Sequence, residues 1–352
     1  MCWTRFSKRR AIRILGPWSI VLGSLAGLSA GSESAAVEVL TPTGGLPPEI
    51  VGQMREPAAF IQASDGSYLI FDPRAQQVYG VDAAKKVLKK LVAIGPSDGQ
   101  ILRPGGFAYS PNKTFIVIDA PANYERVQTF YEDGTALSRF QRWPARGGAV
   151  RVSVNGVMFG GLNAIAPIGR NILTGAQSGN ALISELDTDG NIVRHIGTMR
   201  ATGQDGDAQL RRALNTGIPV VAPDGSVYFV FTSGLPMFRK YSAAGELLFE
   251  RHIEGPELDS TIQQLPTVWP RRKLQGDEFP VITATVATAA LDPRGHLWVS
   301  FETPFTYVYD GNGNKTRTVQ FRGTELMSPT SFFFTRAGRL LITPGCYEFS
   351  PY

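Results

Sequence analysis

Asp224-Gly225-Ser226-Val227-Tyr228-Phe229-Val230 sets a turn directly ahead of a run of β-branched and aromatic residues. Turn chemistry followed by such a run reads as a hairpin entering a strand. The same order recurs at residues 65–71, 112–118, 169–173, 295–299 and 338–342. Counted from Gly66, Asn112, Gly169, Gly225, Gly295 and Gly338, successive turns are 46, 57, 56, 70 and 43 residues apart. A second turn follows each of the first five: Asp82-Ala83-Ala84-Lys85, Glu132-Asp133-Gly134, Asp187-Thr188-Asp189-Gly190, Ser242-Ala243-Ala244-Gly245 and Asp310-Gly311-Asn312-Gly313. Each unit therefore reads strand, turn, strand, loop, strand, turn, strand. Only residues 257–265 hint at helical periodicity.

Repeats of this length and content are propeller blades. The prediction is an all-β, six-bladed β-propeller, in which each unit packs only on its neighbours. The sixth unit ends after its third strand. The missing strand is available at Val37-Glu38-Val39-Leu40, which alternates as a half-buried strand does. Pairing it beside Tyr347–Phe349 would close the ring and remove an open edge.

The propeller is expected to span residues 31–352, with an insertion at 253–286 between blades four and five. Residues 1–30 read as a signal peptide: Arg5, Lys8, Arg9, Arg10 and Arg13, then an apolar run from Ile14 to Leu28, then small residues. That run is broken by Gly16, Pro17 and Gly23 and falls short of the roughly 20 residues of a spanning helix. The mature chain is expected in the periplasm or secreted, touching a membrane only if the leader stays uncleaved.

The leader also explains the net charge. The chain has 35 Lys and Arg against 30 Asp and Glu, so without the five leader bases the two signs balance. No basic run remains in the body, which excludes nucleic acid as a partner. Cys2 belongs to the leader and Cys346 stands alone, so disulfides do not build the fold.

Gly95-Pro96-Ser97-Asp98-Gly99-Gln100-Ile101-Leu102-Arg103-Pro104-Gly105-Gly106-Phe107 resembles the inter-blade signature of NHL-repeat propellers. The segment from Gly203 to Leu210 resembles a degenerate second copy. This likeness implies a six-bladed ring but no substrate, because lyases, lactonases and pure binding platforms share that architecture.

His195, His252 and His296 fall on different blades with no zinc-ligand spacing, unlike the histidine-dependent lyases of this fold. Neither a Gly-x-Ser-x-Gly elbow nor a histidine beside Cys346 supports a nucleophile. Carboxylates are better placed: Asp72, Asp119 and Glu302 end the second strands of blades one, two and five. With Asn163 or Asn215 they would resemble the oxygen-only site of gluconolactonase-type propellers, which suits Ca²⁺ or another divalent cation. The competing reading has these carboxylates capping turns or pairing with arginines. The binding candidates are Arg55, Arg103, Asn163 and Asn215, with Trp269, Arg271 and Arg272 from the long insertion. The expected function is recognition of a small ligand, glycan or partner protein on one face, without a cofactor. Metal-assisted hydrolysis of the lactonase type is the alternative.

Overall fold

The second strands of the units are buried along their length, as Tyr68–Asp72, Thr114–Asp119 and Val227–Phe231 are, except at the two ends of Asn171–Gly175 in the third. They are sandwiched on both faces, so polar and apolar residues do not alternate along them. Their side chains instead divide between two neighbouring sheets. Leu69 and Phe71 pack toward the second unit with Phe115 and Val117, while Tyr68 and Ile70 pack toward the sixth with Leu341 and Cys346. Val227, Phe229 and Phe231 join the third unit, and Tyr228 and Val230 the fifth. Among the described residues six apolar clusters result, one at each seam of a closed ring.

The computed structural model describes residues 36–142, 152–154, 157–159, 164–176, 179–274 and 277–352. The expected leader and Asn163 lie outside the described residues. Blade one is Ala59–Gln62, Tyr68–Asp72, Gln77–Val81 and Leu88–Lys90, paired antiparallel in that order. Blades two to five repeat the order, beginning at Pro104, Ile165, Gly217 and Val286. Blade six is Ser331–Phe334, Leu340–Thr343 and Tyr347–Phe349, completed by Gly44–Gly45. The protein is a six-bladed β-propeller, and among the described residues no helix is long and apolar enough to cross a membrane.

Closure uses the N-terminal segment, but other residues of it than expected. Gly44 and Gly45 pair with Glu348 and Tyr347, flanked by Thr43 N–H to Glu348 O (2.8 Å) and Leu46 N–H to Cys346 O (3.0 Å). Only glycine allows this approach, because a Cβ on Gly45 would lie 2.7 Å from the Cys346 carbonyl oxygen. Val37–Leu40 instead adds a parallel strand to the outside of blade five, against Thr318–Phe321. Val37 and Val39 stay 38% and 43% exposed, so the expected burial of two valines in blade six does not occur.

The insertion is short on strand and rich in contacts. Its hairpin, Arg271–Leu274 with Asp277–Pro280, stands beside a helix from the preceding inter-blade segment, Ala208–Ala213. Trp269, Leu265 and Ile282 pack there on Leu210, Ala213 and Leu214, a seventh cluster that caps blade four.

Candidate functional site

Asp72 is fully buried and fully used. Its Oδ2 accepts from the amides of Arg55 (2.6 Å) and Glu56 (3.2 Å), and Oδ1 from that of Ala75 (2.8 Å). It pins the chain entering blade one to the turn leaving its second strand. Asp119, in the same place on blade two, accepts Arg126 Nε on Oδ1 (3.0 Å). Its Oδ2 takes Arg126 Nη2 (2.6 Å) and the Leu102 amide (2.8 Å). This two-pronged pair is the strong form of an ion pair, and both members are inside. The rest of the Arg126 guanidinium donates to the carbonyls of Pro96 (2.7 Å), Ser97 (2.9 Å) and Gln100 (2.9 Å). The Gly95–Ile101 signature is thus a loop wound around one buried arginine. Asp119 and Arg126 face each other in the hairpin register, and that cross-strand pairing was the available sequence signal for Arg126.

Glu302 is half-buried on blade five, its amide donating to Thr285 O (3.2 Å) and its carbonyl accepting from Ser328 Oγ (3.1 Å). No group of three His, Cys, Asp or Glu able to hold a metal occurs among the described residues. With Asp72 and Asp119 spent on amides and Arg126, the described residues do not fit the oxygen-only metal site that the lactonase likeness implies.

Asn215 acts as an anchor between two loops. Its Oδ1 accepts the Arg200 amide (2.8 Å), and its Nδ2 donates to the carbonyls of Arg211 (2.8 Å) and Arg200 (3.2 Å). Trp269 is likewise turned inward, 9% exposed within the cap. Arg271 is tied to Asp207, the N-cap of the capping helix, at 2.8 Å. Arg272 and Arg55 keep exposed side chains. Arg103 is exposed too, with its amide on Gln76 Oε1 (2.8 Å) and its guanidinium on Ala122 O (3.2 Å). Cys346 is buried, and burial, with the Asp72 charge nearby, pushes its thiol up to about 12. Burial thus disfavours the thiolate that a nucleophile would need.

The opposite rim carries a feature that the sequence reading missed. A groove of about 750 Å³ opens between blades one and two, within the range of about 300–1,000 Å³ for ligand sites. Leu69, Val81 and Leu91 line its floor, and Asp65, Asp82, Asp133, Val87 and Tyr131 surround it. The outer strand of blade one has three residues, whereas those of blades two to five have six to eight.

Turn amides fix the groove's aspartates. Asp82 Oδ1 accepts from Lys86 and Val87 (both 2.7 Å), Asp65 Oδ1 from Ser67 Oγ (2.6 Å) and its amide (2.9 Å), and Asp133 Oδ1 from Thr135 (2.8 Å). These hydrogen bonds hold all three below the usual carboxylate range. In blades three and five an asparagine closes the second oxygen of the turn aspartate, Asn191 on Asp187 and Asn314 on Asp310, both at 3.1 Å. The blade-one turn is one residue longer, and Val87, 59% exposed, takes the turn-closing place, so no asparagine there closes on Asp82. The groove gains a carboxylate edge and an apolar side chain together.

No family model matches the chain, and no curated protein matches it. Solved structures do. A gluconolactonase from Xanthomonas campestris is 14% identical, with a TM-score of 0.50 over 90% of this chain and 97% of its own. A catalytically inactive virginiamycin B lyase from Staphylococcus aureus, solved with quinupristin, is 11% identical, with a TM-score of 0.51 over 85% of this chain and 80% of its own. At such identities the likeness shows the six-bladed fold alone.

Proposed function

We propose that this is an exported binding propeller whose ligand carries a positive charge on an apolar stem and docks in the groove between blades one and two. One observation favours binding over metal-assisted hydrolysis: Asp72 and Asp119, which hydrolysis would need as metal ligands, are saturated by amides and Arg126. The groove offers the opposite condition. Four carboxylates, at Asp65, Asp82, Glu132 and Asp133, outnumber Lys89 and Lys113 around it. An ammonium or guanidinium group would meet carboxylate at the edge and Tyr131 beside it, while its alkyl stem covers Val87 and the floor.

The test uses fluorescence anisotropy with a labelled Lys-Leu-Lys-Val peptide and its Glu-Leu-Glu-Val counterpart. The basic peptide should bind, weaken with added salt, and lose up to about fivefold in affinity for each of Asp82→Asn and Asp133→Asn. Equal binding of both peptides, or indifference to both substitutions, would remove the groove from consideration. Calcium-dependent turnover in a lactone panel would restore the hydrolase reading.

A further inference from the structure

Segments 37–40 and 350–352 meet at the outside of blade five, and one side chain touches both. Arg317, on the outer strand Lys315–Arg322, donates from Nε (3.0 Å) and Nη2 (2.8 Å) to Glu38 Oε2. The same Nη2 donates to Pro351 O (3.0 Å). Its guanidinium also lies 5.1 Å from the Trp298 ring centroid and 5.8 Å from that of Tyr352.

Tyr352 is in turn held by blade five. Its hydroxyl donates to Asp292 Oδ2, and Arg294 stacks 3.6 Å from its ring centroid. Asp292 is buried in the first hairpin of that blade. It also accepts Trp298 Nε1 (2.9 Å) and the amides of Arg294 (2.8 Å) and His296 (2.9 Å), and contacts His296 Nδ1 (3.0 Å). Asp292, Tyr352, Pro351, Arg317, Glu38 and the added strand thus form one unbroken line of contacts.

We propose that these two segments act as a single clasp across the seam between blades five and six, with Arg317 coupling them and the Tyr352 side chain as its pin. The geometry gives the coupling a mechanism. Tyr352, seated on Asp292 and Arg294, sets the Pro351 carbonyl against Arg317. Arg317 so placed can reach Glu38, and Glu38 fixes the parallel strand. Releasing the pin loosens that strand and uncovers the outer edge of blade five, a row of backbone groups ready to pair with another strand. The clasp therefore governs whether this edge is shielded.

Hydrogen exchange read by mass spectrometry on the full chain tests this. Tyr352→Ala removes an exposed ring and should leave the propeller folded. The Val37–Leu40 amides that bond to blade five should then exchange about tenfold faster, while Ile172 and Leu173 in blade three keep their rate. Arg317→Met should accelerate the same amides, and the double variant should be no faster than the faster single one, as expected of one coupled unit. Parental exchange at Val37–Leu40 in Tyr352→Ala would overturn the coupling. So would a double variant whose effects multiply. The Tyr352→Ala comparison decides the matter even if Arg317→Met fails to fold.

Discussion

The seam between blades one and two and the seam between blades five and six treat their outer edges in opposite ways. At the first, the outer strand of blade one stops after three residues, and Val87 stands where an asparagine closes the turn in blades three and five. At the second, a parallel strand is added outside blade five, and Arg317 fastens it to the chain's last residues. Continuous backbone already joins blades one and two, so that edge can be left open without endangering the ring. The ring closes inside blade six, where only the two-residue strand Gly44–Gly45 from the N-terminal side pairs with Tyr347 and Glu348, and the segments flanking both closing strands reach back onto blade five. Reinforcement is concentrated where the ring could open, and open polar chemistry where it could not.

The largest expected effect tests whether the open seam really stands on a rigid base. Asp119→Ala leaves Arg126 buried without its carboxylate, and removing one partner of a buried pair costs about 3–5 kcal/mol. Urea unfolding should show that loss, with proteolysis beginning in the 95–103 loop that Arg126 holds. A loss of less than about 1 kcal/mol would mean that hydrogen bonds to loop carbonyls suffice for Arg126. The seam would then be looser than described.

Next in size is Trp269→Ala, at about 3 kcal/mol for a truncated buried aromatic. It should appear as early unfolding of the cap while the blades hold. A Tm equal to the parent's would return Trp269 to the exposed surface expected from sequence.

That residue shows where sequence was silent. The blades were legible because each second strand is enclosed on both faces and carries a β-branched, aliphatic or aromatic run, as Val227–Phe231 does. Trp269 lies in a long polar insertion, and its burial depends on Leu210, Ala213 and Leu214 in another inter-blade segment. No local pattern announces that contact. Closure went astray for a related reason. Val37-Glu38-Val39 displays strand alternation, whereas Gly44-Gly45, which does the pairing in blade six, has no side chains to display any. Asp72 and Asp119 do end their strands, but whether a carboxylate is open or saturated depends on amides and on Arg126 across a hairpin.

The closed seam predicts a pH dependence. Burial alone would raise the Asp292 carboxyl, but hydrogen bonds from Tyr352, Trp298 and the His296 amide, with the His296 charge, bring it below its ordinary value. A depressed folded value contributes stability that is fully present above the unfolded value of about 3.9. It is lost as pH falls through the lower folded value. Asp292→Asn should therefore cost about 1–3 kcal/mol at pH 7. The gap to the parent should narrow as pH falls below about 4. Urea midpoints at pH 7, 5 and 3 measure it, and a gap independent of pH would show that the carboxylate's charge is not what holds Tyr352.

The smallest stability effect belongs to the open seam, and there it separates recognition from folding. Val87→Asn puts an asparagine at the closing place of the blade-one turn, which is one residue longer than those of blades three and five, where Asn191 and Asn314 donate to the second oxygen of Asp187 and Asp310. The Asp82 Oδ1 bonds to the Lys86 and Val87 amides use backbone and survive the change. An exposed valine is traded for a turn-closing amide, so the Tm should hold or rise slightly. Binding of the Lys-Leu-Lys-Val probe should nevertheless weaken, because the substitution removes the apolar stem contact and occupies the carboxylate oxygen together. Asp82→Asn reaches the same loss by a different route, removing the charge and keeping Val87. Agreement between the two variants would assign binding to the pairing of Val87 with Asp82. If Val87→Asn bound the probe as the parent does while Asp82→Asn did not, charge alone would be the attraction, and the open edge of blade one would have no part in shaping what the groove accepts.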